Sequence, residues 1–369
     1  MEENNLKEWL MLLNFAPFGA VRLKKLINFE PNVLLLTQQP QEFYLSAGIE
    51  PQIAEQYCAW RTTFNPQTQL EIIKHENIEL LTINDPNYPI LLKQIHTPPA
   101  VLFIKGKLPN ALESIAVVGA RKISNYGKII TPLIVKELAN QGIAIISGLA
   151  MGIDGEAHRA TLSQNGITVG VVATGIDDAS IYPTIHRYLA NEIVKKGGAI
   201  VSEFPPLTMA LRHHFPLRNR IIAGLARATI VLEADEHSGA LITARCALDE
   251  NREVFAVPGP ITSPTSRGTN QLIALGAHCL TDAKQINEVL QLNNLKNSEL
   301  NQEIFSPTDT EKTILKLFTK EPLHTDEAIR LSGLESHAVQ KTIALLEMKG
   351  WLKDLGQGQY VCTIKFKQD

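Results

Sequence analysis

Along the middle of this 369-residue chain, short runs that are apolar on both faces alternate with stretches of helical period. The runs are Ile115–Val118, Ile143–Ile146, Thr168–Val172, Ala199–Val201, Thr229–Leu232 and Val254–Val257, with a more irregular stretch after the fourth. A strand apolar on both sides needs cover on both sides, which a parallel sheet clothed by helices provides. The pattern predicts a doubly wound α/β core.

Ahead of the core, Leu6, Leu10, Leu13, Val21, Leu23, Leu26 and Ile27 fall at near-helical spacing around a Pro17-Phe18-Gly19 break. Residues 1–75 therefore read as a small helical domain, either a helix-hairpin-helix or SAM-like module or a plain helical cap. Asp85-Pro86-Asn87-Tyr88-Pro89 and Pro98-Pro99 then mark an irregular lead-in with one strand at Ala100–Ile104, which places the core with its connector at 76–290. The Asn-rich stretch 291–310 reads as a linker. In 311–369, helices at Thr313–Phe318, Thr325–Ser332 and Ser336–Lys349, then Trp351-Leu352 and a glycine turn at Gly356–Val361, follow the order of a winged helix. Asp326, Glu327, Glu335 and Glu347 offset Arg330, Lys341 and Lys349, so a protein contact is as consistent with this domain as a DNA contact.

Composition narrows the function. Net charge is -3 and the sequence pI about 6.4, which argues against a general basic coat for nucleic acid. Charge is nevertheless local: residues 204–232 hold no acid but carry Arg212, Arg218, Arg220 and Arg227, and residues 114–136 hold no acid but carry Arg121, Lys122, Lys128 and Lys136. Such segments suit an anionic ligand bound through a patch. The start Met-Glu-Glu-Asn-Asn has no basic region and no apolar run reaches spanning length, so no membrane partner and a cytoplasmic location are expected. Cys58, Cys246, Cys279 and Cys362 stand apart and read as packing residues, with no disulfide framework and no metal.

Ligands of open α/β sheets sit off the carboxyl ends of the strands. After the first run, Gly119 permits close backbone approach, and Arg121 and Lys122 add charge where a helix begins. No second glycine follows at the dinucleotide spacing, no acid lies at the ribose position, and there is no P-loop, so neither NAD nor ATP is expected and no cofactor is assigned. In Ser147-Gly148-Leu149-Ala150-Met151-Gly152-Ile153-Asp154, the glycines suit phosphate, and Asp154 with His158 reads as a cap or as an acid–base pair. Tyr182 could stack on a base or pack. Ser238-Gly239 opens a further helix, capped or anion-binding, with Glu233, Asp235 and Glu236 before it.

Taken together, these loops resemble the DNA-processing protein A (DprA/Smf) family. The matching strings are Val117–Arg121 with Ser124 and Tyr126-Gly127, Ser147–Ala150, Gly152–Asp154 with Ala157-His158, Tyr182-Pro183, Ser202-Glu203, Phe215–Gly224, Ser238-Gly239 with Leu241–Ala244, Phe255–Gly259 and Gly268–Ile273, all in order. The resemblance implies an extended Rossmann-like core that binds single-stranded DNA, forms a homodimer and loads RecA recombinase in natural transformation, without catalysis. By matching position it implies that Arg121 is the principal phosphate contact, supported by Ser124 and the amides near Gly119 and Gly148. Tyr126, Ser147, Ser238 and Gly239 complete the expected single-strand site with Arg218, Asn219 and Arg220, though Glu203 or Glu233 could hold those arginines instead. The chain departs from the family at Met151 and His237, where arginines are common, and at Thr184, where a basic residue is common. A phosphoribohydrolase-like enzyme is disfavoured because Ser238–Ala244 offers no Glu, and a transcription regulator because the winged helix is not strongly basic.

Overall fold

The computed structural model describes residues 3–109, 114–290, 309–318, 322–348, 351–354, 356 and 358–362. Most of the linker stretch 291–310, together with Lys349 and Gln357, lies outside the described residues. Two compact units emerge, Met1–Leu290 and Gln291–Asp369.

The first unit is built on a nine-stranded sheet. Its strands are β1 (Ile78–Thr82), β2 (Val101–Gly106), β3 (Ser114–Val118), β4 (Ala144–Ser147), β5 (Thr168–Val171), β6 (Ala199–Ser202), β7 (Ala228–Val231), β8 (Glu253–Ala256) and β9 (His278–Cys279), in the order β1-β2-β6-β5-β4-β3-β7-β8-β9. From β6 to β9 every pairing is parallel, with registers such as Val117↔Ile230 and Ile146↔Val169. The chain steps from β3 outward to β6, then returns to the far side of β3 for β7. The loops after β3 and β7 therefore part at the switch in strand order, where such sheets open a ligand crevice.

Two expectations change. The lead-in is regular: β1 and β2 pair antiparallel, and β2 extends the sheet antiparallel to β6, giving a mixed sheet. Ile78–Thr82 has Glu79 in its middle and a proline-rich turn just after it, which hid the strand, while β9 has two residues and no readable period. Cys279, expected to pack, is exposed on β9, and the other three cysteines are half-buried.

Helices α1 (Glu3–Asn14), α2 (Gly19–Phe29), α3 (Val33–Leu36), α4 (Gln41–Ser46), α5 (Pro51–Trp60) and α6 (Gln67–His75) precede the sheet, and α7 (Ile90–Lys93) joins β1 to β2. The core helices are α8 (Asn125–Asn140), α9 (Ile153–Ser163), α10 (Arg187–Lys195), α11 (His214–Gly224), α12 (Gly239–Asp249), α13 (Arg267–Ala274) and α14 (Lys284–Leu290). Alternation along β2 shows how the layers close. Val101 and Phe103 join a cluster with Leu12, Phe18, Tyr44, Tyr57, Val172 and Ile193, whereas Leu102 and Ile104 face a second cluster with Leu92, Ile221 and Ile222. The amino-terminal helices thus share one apolar cluster with the sheet. At the Pro17-Phe18-Gly19 break, Phe18 is fully buried and the Pro17 carbonyl accepts from Arg22 Nη1 at 2.9 Å.

In the second unit, β10 (Leu323–His324), β12 (Gln359–Cys362) and β11 (Leu352–Asp354) form a three-stranded antiparallel sheet with helices α15 (Asp309–Leu315), α16 (Thr325–Ser332) and α17 (Ser336–Met348). Ile314, Phe318, Ala328, Val339, Ile343, Leu346 and Leu352 make its core. This is a winged helix.

Because Phe18 contacts Phe15 and Tyr57 inside the shared cluster, Phe18→Ala should cost about 3–5 kcal/mol. Urea denaturation of the whole chain measures it. A loss under about 1 kcal/mol would mean that Phe18 does not anchor the helical part of that cluster.

Candidate functional site

The loop after β3 runs from Gly119 to Ser124 and enters α8. Ser124 has extended backbone and its Oγ accepts from the Gly127 amide at 3.0 Å, capping the helix. The same hydroxyl donates to Glu233, the Ser124 amide donates to Glu233 Oε2 at 3.1 Å, and Thr265 Oγ1 donates to Glu233 Oε1 at 3.2 Å. Glu233, from the loop after β7, is only 2% exposed. A carboxylate of the chain itself therefore fills the position at the start of α8 that an anionic ligand would take. Ser124 is a strut between the two crevice loops.

Close backbone approach holds the loop in place from the other side. The Ile153 amide at the start of α9 donates to the Ala120 carbonyl at 3.1 Å. Gly152 sits at φ +80°, and a Cβ there would lie 2.2 Å from the Ala120 oxygen. With the loop pinned, the amides of Gly119, Ala120, Arg121 and Lys122 have no acceptor among the described residues. Arg121 and Lys122 are exposed, and no carboxylate lies within ion-pair distance of either among the described residues. The Arg121 guanidinium stands 5.1 Å from the centroid of the Phe215 ring, and Tyr182, half exposed, meets the same ring edge-on at 6.0 Å.

The loop after β4 is closed to a ligand from within. Ser147 is fully buried and donates to the Val117 carbonyl at 2.6 Å. The Gly148 and Ala150 amides donate to Asp154 Oδ2 at 3.1 and 3.4 Å. On the other side, Arg218 Nη1 donates to the Gly148 carbonyl at 2.6 Å and also to the Val171 carbonyl at the end of β5. Arg218 and Asp154 are 4% and 6% exposed. Burial pushes the Asp154 carboxyl up while the Arg218 charge pulls it back, and burial brings the Arg218 guanidinium down to about 10.

The rest of the arginine run is also engaged internally. Asn219 Nδ2 donates to the Gly239 carbonyl at 3.2 Å. Arg220 pairs with Glu203 at 2.5 Å and donates to the Thr97 carbonyl at 2.7 Å, and Arg227 donates to the Leu290 carbonyl at 3.1 Å. Of the four arginines in the acid-free stretch only Arg212 is exposed. Strand contact and bracing are both open to Arg218, Asn219 and Arg220 from the sequence, and here their side chains bond to the loops around them. Glu203 is one of the carboxylates that reading offered them; Glu233 turns instead to Ser124 and Thr265.

Two outer features remain open. Ser238 Oγ accepts from the Ala240 amide at 3.3 Å, yet Gly239 is exposed with nothing within 4 Å of where a Cβ would stand. Tyr126 is 41% exposed, its hydroxyl donating to the Pro258 carbonyl at 3.1 Å. Asp154 and His158 do not form a pair: Asp154 holds the Gly148 loop, and His158 Nδ1 donates at 2.7 Å to Thr168 Oγ1, whose own hydrogen goes to the Ile145 carbonyl. No group of His, Cys, Asp and Glu able to hold a metal occurs among the described residues. Thr265, whose hydroxyl holds Glu233, carried no signal in the sequence, and the role of Phe215 as a support for Arg121 was not visible either.

Glycine loops at a strand switch, an exposed arginine on an aromatic ring and a winged helix define a Rossmann-like protein with a winged-helix domain. Its residues 79–291 match the family model described as DNA recombination-mediator protein A, and residues 299–358 match the DprA winged helix domain. The chain belongs to the DNA recombination-mediator protein A family. It is 44% identical over 221 residues to Protein Smf of Escherichia coli (strain K12), a match covering 59% of this chain and 58% of that protein, thus less than two thirds of the relative's length. It is 41% identical over 232 residues to DNA processing protein DprA of Bacillus subtilis (strain 168), covering 62% and 77% respectively. The crystal structure of DNA processing protein A from Streptococcus pneumoniae superposes with a TM-score of 0.65 at 32% identity, covering 78% of this chain and 98% of that one. A structure of DNA processing protein A from Helicobacter pylori, described for its single-stranded DNA binding mode, superposes with a TM-score of 0.52 at 28% identity, covering 59% and 98%.

Two outcomes follow from the buried charges. Arg218→Ala leaves Asp154 buried without its compensating cation and should cost about 3–5 kcal/mol in urea denaturation; a neutral change would contradict the clamp. Burial holds His158 at about 3, far below the value of an unfolded histidine, so the unfolded chain binds the extra proton below about pH 6.5. Stability should therefore fall as pH drops from about 6.5 towards 3, by up to about 1.4 kcal/mol per unit from this group. Asp154, raised on folding, acts with the opposite sign, so the histidine contribution is the difference in slope between wild type and His158→Asn. Equal slopes would contradict it.

Proposed function

We propose that this protein binds single-stranded DNA in DNA processing, protecting incoming strands and loading RecA recombinase during natural transformation, as a cytoplasmic homodimer that catalyses no reaction itself. The observation that carries the reading is Arg121, exposed and supported by Phe215, with no carboxylate partner among the described residues, beside a row of amides that have no acceptor among them. Guanidinium and amide donors suit phosphate oxygens, and exposed aromatic faces suit unpaired bases. A single strand offers both together.

In this reading Gly119, Arg121, Lys122, Tyr126 and Gly239 face the strand. Ser124, Ser147, Gly148, Arg218, Asn219, Arg220 and Ser238 hold the loops that present them. The single-stranded DNA binding described for the Helicobacter pylori relative supports the ligand, and the family resemblance supports RecA and transformation. The homodimer is supported by Leu275, 78% exposed at the end of α13 beside the half-buried Leu272. No helix among the described residues is long and apolar enough to cross a membrane.

Filter binding of the whole chain to oligo-dT over a salt range tests the reading. Arg121→Ala should weaken binding about tenfold and make the dependence of log K on log salt shallower by about 0.7. Arg220→Ala, which removes a brace, should leave that slope unchanged. Unchanged affinity and slope in Arg121→Ala would remove Arg121 from the phosphate contact.

A further inference from the structure

We infer that Tyr182 is a stacking platform for a nucleobase, placed beside the Arg121 phosphate contact; the inference rests on the single-strand reading above. Tyr182 closes the loop after β5, and the backbone on both sides of it is fixed. Upstream, the Asp177 carboxylate, 1% exposed, accepts from the Ser180 amide at 3.1 Å, the Ser180 hydroxyl at 2.8 Å and the Leu207 amide at 2.8 Å. The next residue, Asp178, is tied to Lys105 at 2.8 Å, and Ile181 is 3% exposed. Downstream, His186 Nδ1 donates to the Leu149 carbonyl at 2.9 Å, which joins this segment to the clamped Gly148 loop.

Between these anchors the Tyr182 ring stays 50% exposed. Its ring contact is the edge of Phe215, and its hydroxyl makes no hydrogen bond among the described residues. A rigid backbone that holds a large aromatic side chain half in water suits a planar ligand, because stacking then costs little conformational entropy. The neighbouring group identifies that ligand. Phe215 carries the Arg121 guanidinium on its face at 5.1 Å and Tyr182 at 6.0 Å, so a cation and a free aromatic surface share one support. Phosphate and base alternate along a strand in the same way, and only unpaired bases present a face to a side chain.

The test compares oligo-dT with an abasic strand of equal length and charge, binding each to the whole chain by fluorescence anisotropy. Wild type should prefer oligo-dT by about tenfold. Tyr182→Ala and Tyr182→Leu should lose most of that preference while keeping the abasic affinity and the salt slope, and Tyr182→Phe should keep the preference. A strand carrying 2-aminopurine should lose its stacking quench in the Ala variant. Equal binding of the two strands by wild type would overturn the platform alone, as would an Ala variant that weakens both strands equally or a Phe variant that behaves like Ala. Failure of wild type to bind either strand would instead overturn single-strand binding itself.

Discussion

The loops at the carboxyl ends of the parallel strands depend on one buried guanidinium. Arg218 lies 4% exposed between the ends of two neighbouring strands and donates to the Gly148 and Val171 carbonyls, with Asp154 as the nearby opposite charge. Removing such a group from water is costly, and only the combination of carbonyl acceptors and a compensating carboxylate offsets it. The same requirement ties α11 to the Gly148 loop and to the end of β5. From Arg218 the order spreads outward: Asn219 reaches the Gly239 carbonyl, and the Ile153 amide pins Ala120 beside Arg121.

A second constraint follows from the internal carboxylates. Asp154 takes the Gly148 and Ala150 amides, and Glu233 takes the start of α8 through Ser124. These are the places where a doubly wound fold ordinarily seats a nucleotide phosphate deep in the crevice. With both filled by the chain's own anions, the donors that remain lie on the rim, in the Gly119–Lys122 loop and at the open Gly239. A rim site suits a polymer passing over the surface better than a small nucleotide enclosed within it.

The parallel strands were legible because runs apolar on both faces have few other uses in a soluble fold. Antiparallel β1 was hidden by Glu79 and the turn after it, and β9 by its brevity. Candidate residues were legible as strings but not as roles. Arg218 and Arg121 look alike in the sequence, and what separates them is contact with residues far along the chain: Arg218 with Gly148, and Ser124 with Glu233 more than a hundred residues away. Likewise Arg220 answers Glu203 at the edge of the very stretch whose lack of acids drew attention to it. Local charge excess therefore marked a stretch whose arginines at 218 and 220 are engaged with the fold, a difference that composition alone does not carry.

The central claim is that Arg121 meets the strand while the arginines of α11 stay with the fold. A structure of the whole chain bound to a short oligo-dT measures this directly. The account predicts a phosphate oxygen about 2.7–3.2 Å from the Arg121 guanidinium, with Arg218 still on the Gly148 and Val171 carbonyls and Arg220 still on Glu203. A phosphate held by Arg218 or Arg220, with Arg121 out of reach, would contradict it.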